Sequence, residues 1–300
     1  MQCDACRREA TVFQPYSGKY LCPLHFTRDL EAKAKRTIRT RGWLRPGDHI
    51  AVVLSGDAAS AGLLFFLAGL TKERRDVKVS AIAIDPGMSD CPVRERAQEI
   101  ADALGVPALF GSFAEQYGVT LDRLIREEGR ETASAACRVL GCDLLGGIAA
   151  EHGVTRCALA TSVDEMAGTF FADLLAGVPE HTLCSRQVAG RAGIPVITPF
   201  LEIPAAELDS YGQLHVPVKF LPAIPCMGNS GSGSDSTGAL DTYSLRHPAA
   251  KFALANLAGT LAGIAATHPL YPPCPVCGGS LEAGVCPACA IREKFGRGMT

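Results

Sequence analysis

Eight Cys and His residues fall in paired steps at the two ends of the chain. Cys3-x2-Cys6 and Cys22-x2-His25 supply three sulfurs and one imidazole. Cys274-x2-Cys277 and Cys286-x2-Cys289 supply four sulfurs. A knuckle of this spacing turns both of its side chains toward one point, and two knuckles make the tetrahedral set that zinc prefers. Gly278-Gly279 follow the first knuckle of the second set and Gly284 precedes its second knuckle, where glycine relieves a tight backbone. Buried, reduced and unligated cysteines, or a redox CxxC, would each explain one pair. Neither explains why a second ligand pair accompanies each first one. Four protein ligands leave no open position, so both sites are expected to be structural zinc sites rather than catalytic ones.

A second constellation is Leu54-Ser55-Gly56-Asp57-Ala58-Ala59-Ser60, which follows the apolar run His49–Leu54. A strand that ends in a small-residue turn and opens a helix offers backbone N–H groups and the helix dipole to an anion. Ser55, Gly56 and Ser60 suit such a loop. An ordinary strand–helix turn accounts for this segment equally well when it is taken alone. Arg28, Lys33, Lys35, Arg36, Arg39, Arg41 and Arg45 cluster nearby, with Trp43 among them. That segment reads as a helix that either touches nucleic-acid phosphates or presents a solvated basic face. Cys91, Cys157 and Cys184 read as packed thiols. His181, His215, His247 and His268 are given no role.

The elements that must carry these groups alternate. His49–Leu54, Val77–Ile84, Pro107–Phe110, Arg156–Leu159 and Ile194–Thr198 read as strands. Ala61–Leu70, Val93–Leu104, Cys137–His152 and Met166–Ala176 read as helices between them. Alternation of this kind predicts a parallel, doubly wound α/β sheet. Of the 300 residues, 47% are hydrophobic, enough for a sizeable core, and the formal net charge of −2 gives no bulk case for nucleic acid. The chain opens on Cys3 and Cys6 rather than an apolar run, and no apolar stretch is expected to reach the ~18 residues of a membrane span. With thirteen cysteines and no leader in view, a reducing cytoplasm is expected. The predicted organisation is a zinc finger over 1–27, a basic linker helix over 28–45, the α/β domain over 46–226, a Gly/Ser-rich loop and helical tail over 227–270, and a zinc ribbon over 271–300.

In this order the pieces resemble the two-zinc-finger tRNA 2-thiolation family of the PP-loop ATP-pyrophosphatase superfamily. Pro46-Gly47-Asp48, Leu183–Gln187, Thr198-Pro199-Phe200 and the Pro-x-x-Lys-Phe segment within His247–Leu254 support the resemblance, which runs over nearly the whole chain. It implies a Rossmann-like fold of the adenine nucleotide α-hydrolase type. It also implies ATP with magnesium on an SGGxDS loop, adenylation of a tRNA uridine 2-oxygen, and displacement of AMP by sulfur. The sulfur would come as sulfide, a persulfide or the thiocarboxylate of a ubiquitin-like carrier protein. A cluster held by three cysteines and a homodimer are implied in the same way.

On this chain the loop motif falls on Ser55–Ser60, where Ser55, Gly56 and Ser60 match. Asp57 replaces the second glycine, Ala58 the lysine and Ala59 the aspartate. Asp85 and Gly87 match the acidic-x-Gly turn after the second strand. The family's CxxC falls on Ser134–Cys137, of which only Cys137 matches, and its third cluster cysteine falls on Cys226. Two cysteines and a serine make a poor [4Fe–4S] site, because serine is a harder ligand. Gly141 and Cys142 stand where the family carries basic residues. Its GHNxDD falls on Ala160–Glu165, where Asp164 matches and Glu165 keeps the charge. Cys137, Cys226 and Asp164 are therefore the expected catalytic residues. A variant 2-thiolation enzyme and a non-catalytic zinc scaffold that docks tRNA or a partner both remain open.

Overall fold

The computed structural model describes residues 1–177, 188–189, 193–220, 235–267, 274–276 and 286–295. A short antiparallel hairpin, β1 (Val12–Gln14) and β2 (Lys19–Leu21), pairs Phe13 with Tyr20. It leads directly into α1 (Pro23–Arg41), which ends on Gly42 in the left-handed region. The helix therefore begins inside the expected metal finger, and His25 belongs to its first turn.

The expected sheet forms. β3 (His49–Val53), β4 (Lys78–Asp85), β5 (Ala108–Ser112), β6 (Arg156–Ala158) and β8 (Ile194–Ile197) run parallel. A two-residue strand, β7 (Val188–Ala189), adds an antiparallel edge that the sequence did not suggest. The order is β5-β4-β3-β6-β8-β7. Ile50, Ala51 and Val52 of β3 are wholly buried, as expected of a central parallel strand covered on both faces. The strand order reverses at β3, so the crevice beyond the carboxyl ends of β3 and β6 is where such a sheet takes its ligand.

Helices α2 (Ala58–Thr71), α3 (Val93–Leu104), α4 (Phe113–Tyr117), α5 (Leu121–Glu151) and α6 (Val163–Ala176) link the strands. α5 starts well before the expected Cys137. A non-helical Gly129 (φ 82°, ψ 163°) kinks it, a conformation open to glycine. Its stretch Thr132–Glu151 is long and apolar enough to cross a membrane by length and composition, contrary to expectation. More than half of it is buried, and α5 packs on β4, β5 and β8 as a core helix does.

α7 (Ala205–His215) lies against α2. The single helical tail expected over Ser244–Ala266 is two helices, α8 (Asp235–Arg246) and α9 (Ala250–Thr267). Pro248 separates them, since it lacks an N–H and disfavours helical backbone at the residue before it. Both pack on α6, where Val163, Met166, Phe170, Leu201, Ala255 and Ala258 form a second small core. The chain closes on α10 (Pro287–Phe295), which packs on α5.

Candidate active site and metal centres

The N-terminal ligands converge. Atoms of Cys3, Cys6, Cys22 and His25 lie within 4.8 Å of one another, with Cys3 and Cys22 buried. Cys3 Sγ and Cys22 Sγ stand 3.5 and 3.3 Å from His25 Nδ1, and the Cys6 and Cys22 sulfurs are 3.8 Å apart. Local structure builds this. An isolated bridge between Gln2 and Glu9, with the Cys3 N–H donating to the Arg8 carbonyl at 2.9 Å, closes the first knuckle. Cys22 stands just before α1, and Pro23, which needs no N–H partner there, opens the helix. Burial by itself would raise the Cys3 thiol. Backbone N–H groups of Cys22, Ala5 and Cys6 outweigh it and hold the thiol down at about 6. Three sulfurs, one nitrogen and a stabilised thiolate fit a zinc ion.

The second set repeats the device. Cys286 precedes Pro287 at the start of α10, as Cys22 precedes Pro23. Cys274, Cys286 and Cys289 bring their sulfurs within 4.8 Å, with Cys274 and Cys289 3.8 Å apart. Their expected partner Cys277 lies outside the described residues. Lys294 pairs with Glu128 at 2.7 Å and ties this helix to α5.

The loop after β3 has the expected strand–turn–helix form, with Gly56 at φ 85°. Several of its donors, however, are in use. Asp57 caps α2. Its Oδ1 accepts from the Ser60 N–H at 2.7 Å and its Oδ2 from the Ser55 hydroxyl at 2.6 Å. The Ser60 hydroxyl donates to the Asp57 carbonyl at 3.2 Å. After β4, Asp85 Oδ1 accepts from the Gly87 N–H at 2.8 Å. Gly87 has φ 75°, and a Cβ there would stand 2.8 Å from Thr120 Cβ, so the turn is set for glycine. These two loops lie beyond the carboxyl ends of neighbouring strands, as a nucleotide site requires.

After β6, Ser162 and Glu165 form a capping box on α6. Asp164 points away from any free role. Its Oδ2 accepts from the Ala205 N–H and its Oδ1 from Lys251 Nζ, both at 2.6 Å. Lys251 also pairs with Asp241 at 2.7 Å. This carboxylate thus fastens α6 to the start of α7 and to α9. Cys137 is wholly buried on α5 and joins no converging set of three ligands among the described residues. Cys142 is exposed on the same helix. Burial, and then the charge of Cys142, push the Cys157 thiol up to about 12, in keeping with a packed thiol. Cys226 and Cys184 lie outside the described residues.

On α1, Lys33, Lys35 and Arg36 pair with Asp29, Glu31 and Glu202. Arg28 and Arg39 are exposed and form no ion pair among the described residues. The Arg41 guanidinium lies 5.6 Å from the centre of the Trp43 ring, which is itself half-buried against the core. Trp43 is therefore largely engaged by the core and by Arg41.

Sequence reasoning missed α7. Gly212 sits so close to α2 that a Cβ would fall 1.9 Å from the Ala58 carbonyl oxygen. On its other side, Glu207 accepts from Gln14 of the metal hairpin at 3.1 Å, and Tyr211 donates to Glu31 of α1 at 3.1 Å. Burial pushes the Glu207 carboxyl up. The one local signal was the small residue in Tyr211-Gly212-Gln213.

Known proteins share this arrangement. Residues 2–27 match the N-terminal LIM domain of 2-thiouridine synthetase TtuA, and residues 26–219 match the PP-loop domain. The chain belongs to the PP-loop family, and its relatives are tRNA 2-thiolation proteins. It is 28% identical to tRNA 2-thiolation protein NcsA of Haloferax volcanii over 74% of each chain. It is 26% identical to cytoplasmic tRNA 2-thiolation protein 1 of Anopheles gambiae over 99% of this chain and 89% of that one. In fold it is similar to the U34-tRNA thiolase NcsA of Methanococcus maripaludis, solved with its [4Fe-4S] cluster. That similarity has a TM-score of 0.79 and 19% identity, over 99% of this chain and 97% of that one.

Proposed function

We propose that this protein serves the 2-thiolation of tRNA uridine. The observation that carries the reading is the converged Cys3, Cys6, Cys22 and His25 set fused directly to a PP-loop domain. In the enzymatic form of this role, Ser55, Gly56, Ser60, Asp85 and Gly87 border the site of ATP and magnesium. ATP would make the uridine 2-oxygen a leaving group, and Cys137 and Cys226 would handle sulfur. Asp164 would act as a positioning residue through its bonds to Ala205 and Lys251. Zinc fits both terminal ligand sets. The [4Fe–4S] cluster of the Methanococcus protein is a poorer match, because Ser134 holds one of the cysteine positions. Arg28 and Arg39 suit tRNA phosphates. A ubiquitin-like sulfur carrier, a second copy of the chain and a cytoplasmic location complete the proposal.

One observation favours a non-catalytic form of the same role, a zinc scaffold that binds tRNA or a partner. Asp57 already accepts from the Ser55 hydroxyl and the Ser60 N–H, two of the donors that a nucleotide loop would offer. Calorimetry with magnesium and ATP on anaerobically purified protein separates the two, beside zinc and iron analysis of the same sample. Micromolar affinity, roughly −8 kcal/mol, supports the enzyme, and thiolation of tRNA should then depend on Cys137. Silence at millimolar ATP, with zinc and no iron, leaves the scaffold. If the protein binds no tRNA and its loss leaves 2-thiouridine levels unchanged, both forms fail.

A further inference from the structure

The loop after β3 keeps the outline of an anion site while its donors face inward. Ser55 contributes its hydroxyl, Ser60 its N–H, and α2 the positive end of its dipole. Each is directed at one group, the Asp57 carboxylate, at 2.6 and 2.7 Å for the two hydrogen bonds. A carboxylate at a helix N-terminus uses the same physics as a phosphate: negative charge, acceptor oxygens and N–H donors that helix geometry leaves unpaired.

We propose that Asp57 is a built-in anion that excludes polyphosphate from this loop, and so is the residue that fixes what the site accepts. This rests on the non-catalytic form of the function proposed above, and it names the physical cause. Three features reinforce it. An incoming phosphate would have to displace two short hydrogen bonds and then sit beside the carboxylate it had displaced. Ala58 and Ala59 supply no cation to offset that repulsion. α7, which carries Asp209 one turn before Gly212, crosses the N-terminal end of α2, where Gly212 closely approaches Ala58. Burial, and then the charge of Asp57, push the Asp209 carboxyl up, which marks the two groups as electrostatic neighbours.

The test uses the full chain and inorganic pyrophosphate with magnesium, followed by calorimetry and by phosphorus NMR line width. Asp57→Gly restores the glycine of the family's loop and remains acceptable at a helix cap. Asp57→Asn keeps a capping oxygen and removes the charge, and it stands in should the glycine variant fold poorly. Thermal melts and circular dichroism verify that each variant is folded. The expected result is no measurable binding by the native protein. Asp57→Gly should bind at least about tenfold more tightly, which is about 1.4 kcal/mol, and Asp57→Asn should fall between. Native protein that binds within twofold of Asp57→Gly overturns the proposal. Two folded variants that bind no better than the native protein also overturn it, and place the block at Ala58 and Ala59. Transfer-RNA affinity is measured on the same samples. Loss of tRNA binding alone sinks the functional reading, whereas unchanged pyrophosphate binding alone sinks the role given to Asp57.

Discussion

The N-terminal cysteine knuckles and the loop after β3 differ in what their polar groups do. At the knuckles, four side-chain atoms converge within 4.8 Å in a set that could hold a metal ion. At the loop, a side chain of the protein itself takes two of the donors. The physical difference is coupling to folding. A structural metal site contributes its binding free energy to the folded state, so its ligands and the fold stand together. A nucleotide loop serves a visitor. When its own groups are replaced, an N-cap can supply part of the hydrogen bonding without the ligand, as Asp57 does for Ser55 and Ser60. A chain can therefore look intact as a scaffold and altered as a site.

The largest effect should come from removing a metal ligand. Cys22→Ala is expected to lower zinc content from two to one per chain and the melting midpoint by about 10 °C, read by metal analysis and scanning calorimetry. An unchanged midpoint would break the contrast, because the knuckles would then be as dispensable to folding as the loop.

Next is the joint between the two regions. α7 touches the hairpin through Glu207 and the loop helix through Gly212. Gly212→Ala should cost about 3 kcal/mol in urea unfolding, since the methyl meets backbone rather than a movable side chain. A cost under about 0.5 kcal/mol, the scale of an ordinary surface change, would show that α7 does not bridge the two regions tightly.

A smaller effect is expected at the base of the sheet, remote from both sites. Burial by itself would raise the Asp48 carboxyl. Hydrogen bonds from the Arg45 N–H, Arg156 and Thr155 overcome that and lower it. A lowered carboxyl contributes stability above its ordinary value of about 3.8, and that contribution fades as pH falls through the folded value. Asp48→Asn should cost about 2 kcal/mol at neutral pH. The two proteins should converge in melting temperature on acidification, and parallel curves down to the acid limit would refute the assignment.

The smallest change in stability, within about 0.5 kcal/mol, belongs to the exposed arginines of α1. Arg28→Glu and Arg39→Glu should each weaken tRNA binding and reduce its salt slope by about 1. Filter binding at several ionic strengths reads this, and an unaltered slope would assign these residues to a solvated face.

Much of the scaffold is legible in the chain. His49–Leu54 and Val77–Ile84 are mainly apolar runs that end on Ser-Gly or Asp-Pro-Gly, and length and punctuation together mark them as strands. The knuckle pairs are legible because a Cys-x-x-Cys turn is local: four residues fix where both side chains point. Asp57 is half legible, since Asp three residues before Ser60 is a helix-cap pattern. Its consequence for phosphate follows only once both carboxylate oxygens are seen to be bonded. Asp164 reads as a catalytic candidate from its position in a motif. Its partner Lys251 lies 87 residues away, beyond any periodicity, and no local rule predicts that pair.

Most of the elements, the parallel sheet and the spacing of the Cys and His pairs are written in the sequence, because each depends on contacts within a few residues or on burial common to a whole strand. Tertiary structure alone decided which polar groups were left for a ligand. Hydrogen-bond partners are assigned in space: Gln14 meets Glu207 across 193 residues, and Gly212 meets the Ala58 carbonyl because two helices cross there. A donor can serve a ligand only when the fold has given it no partner of its own.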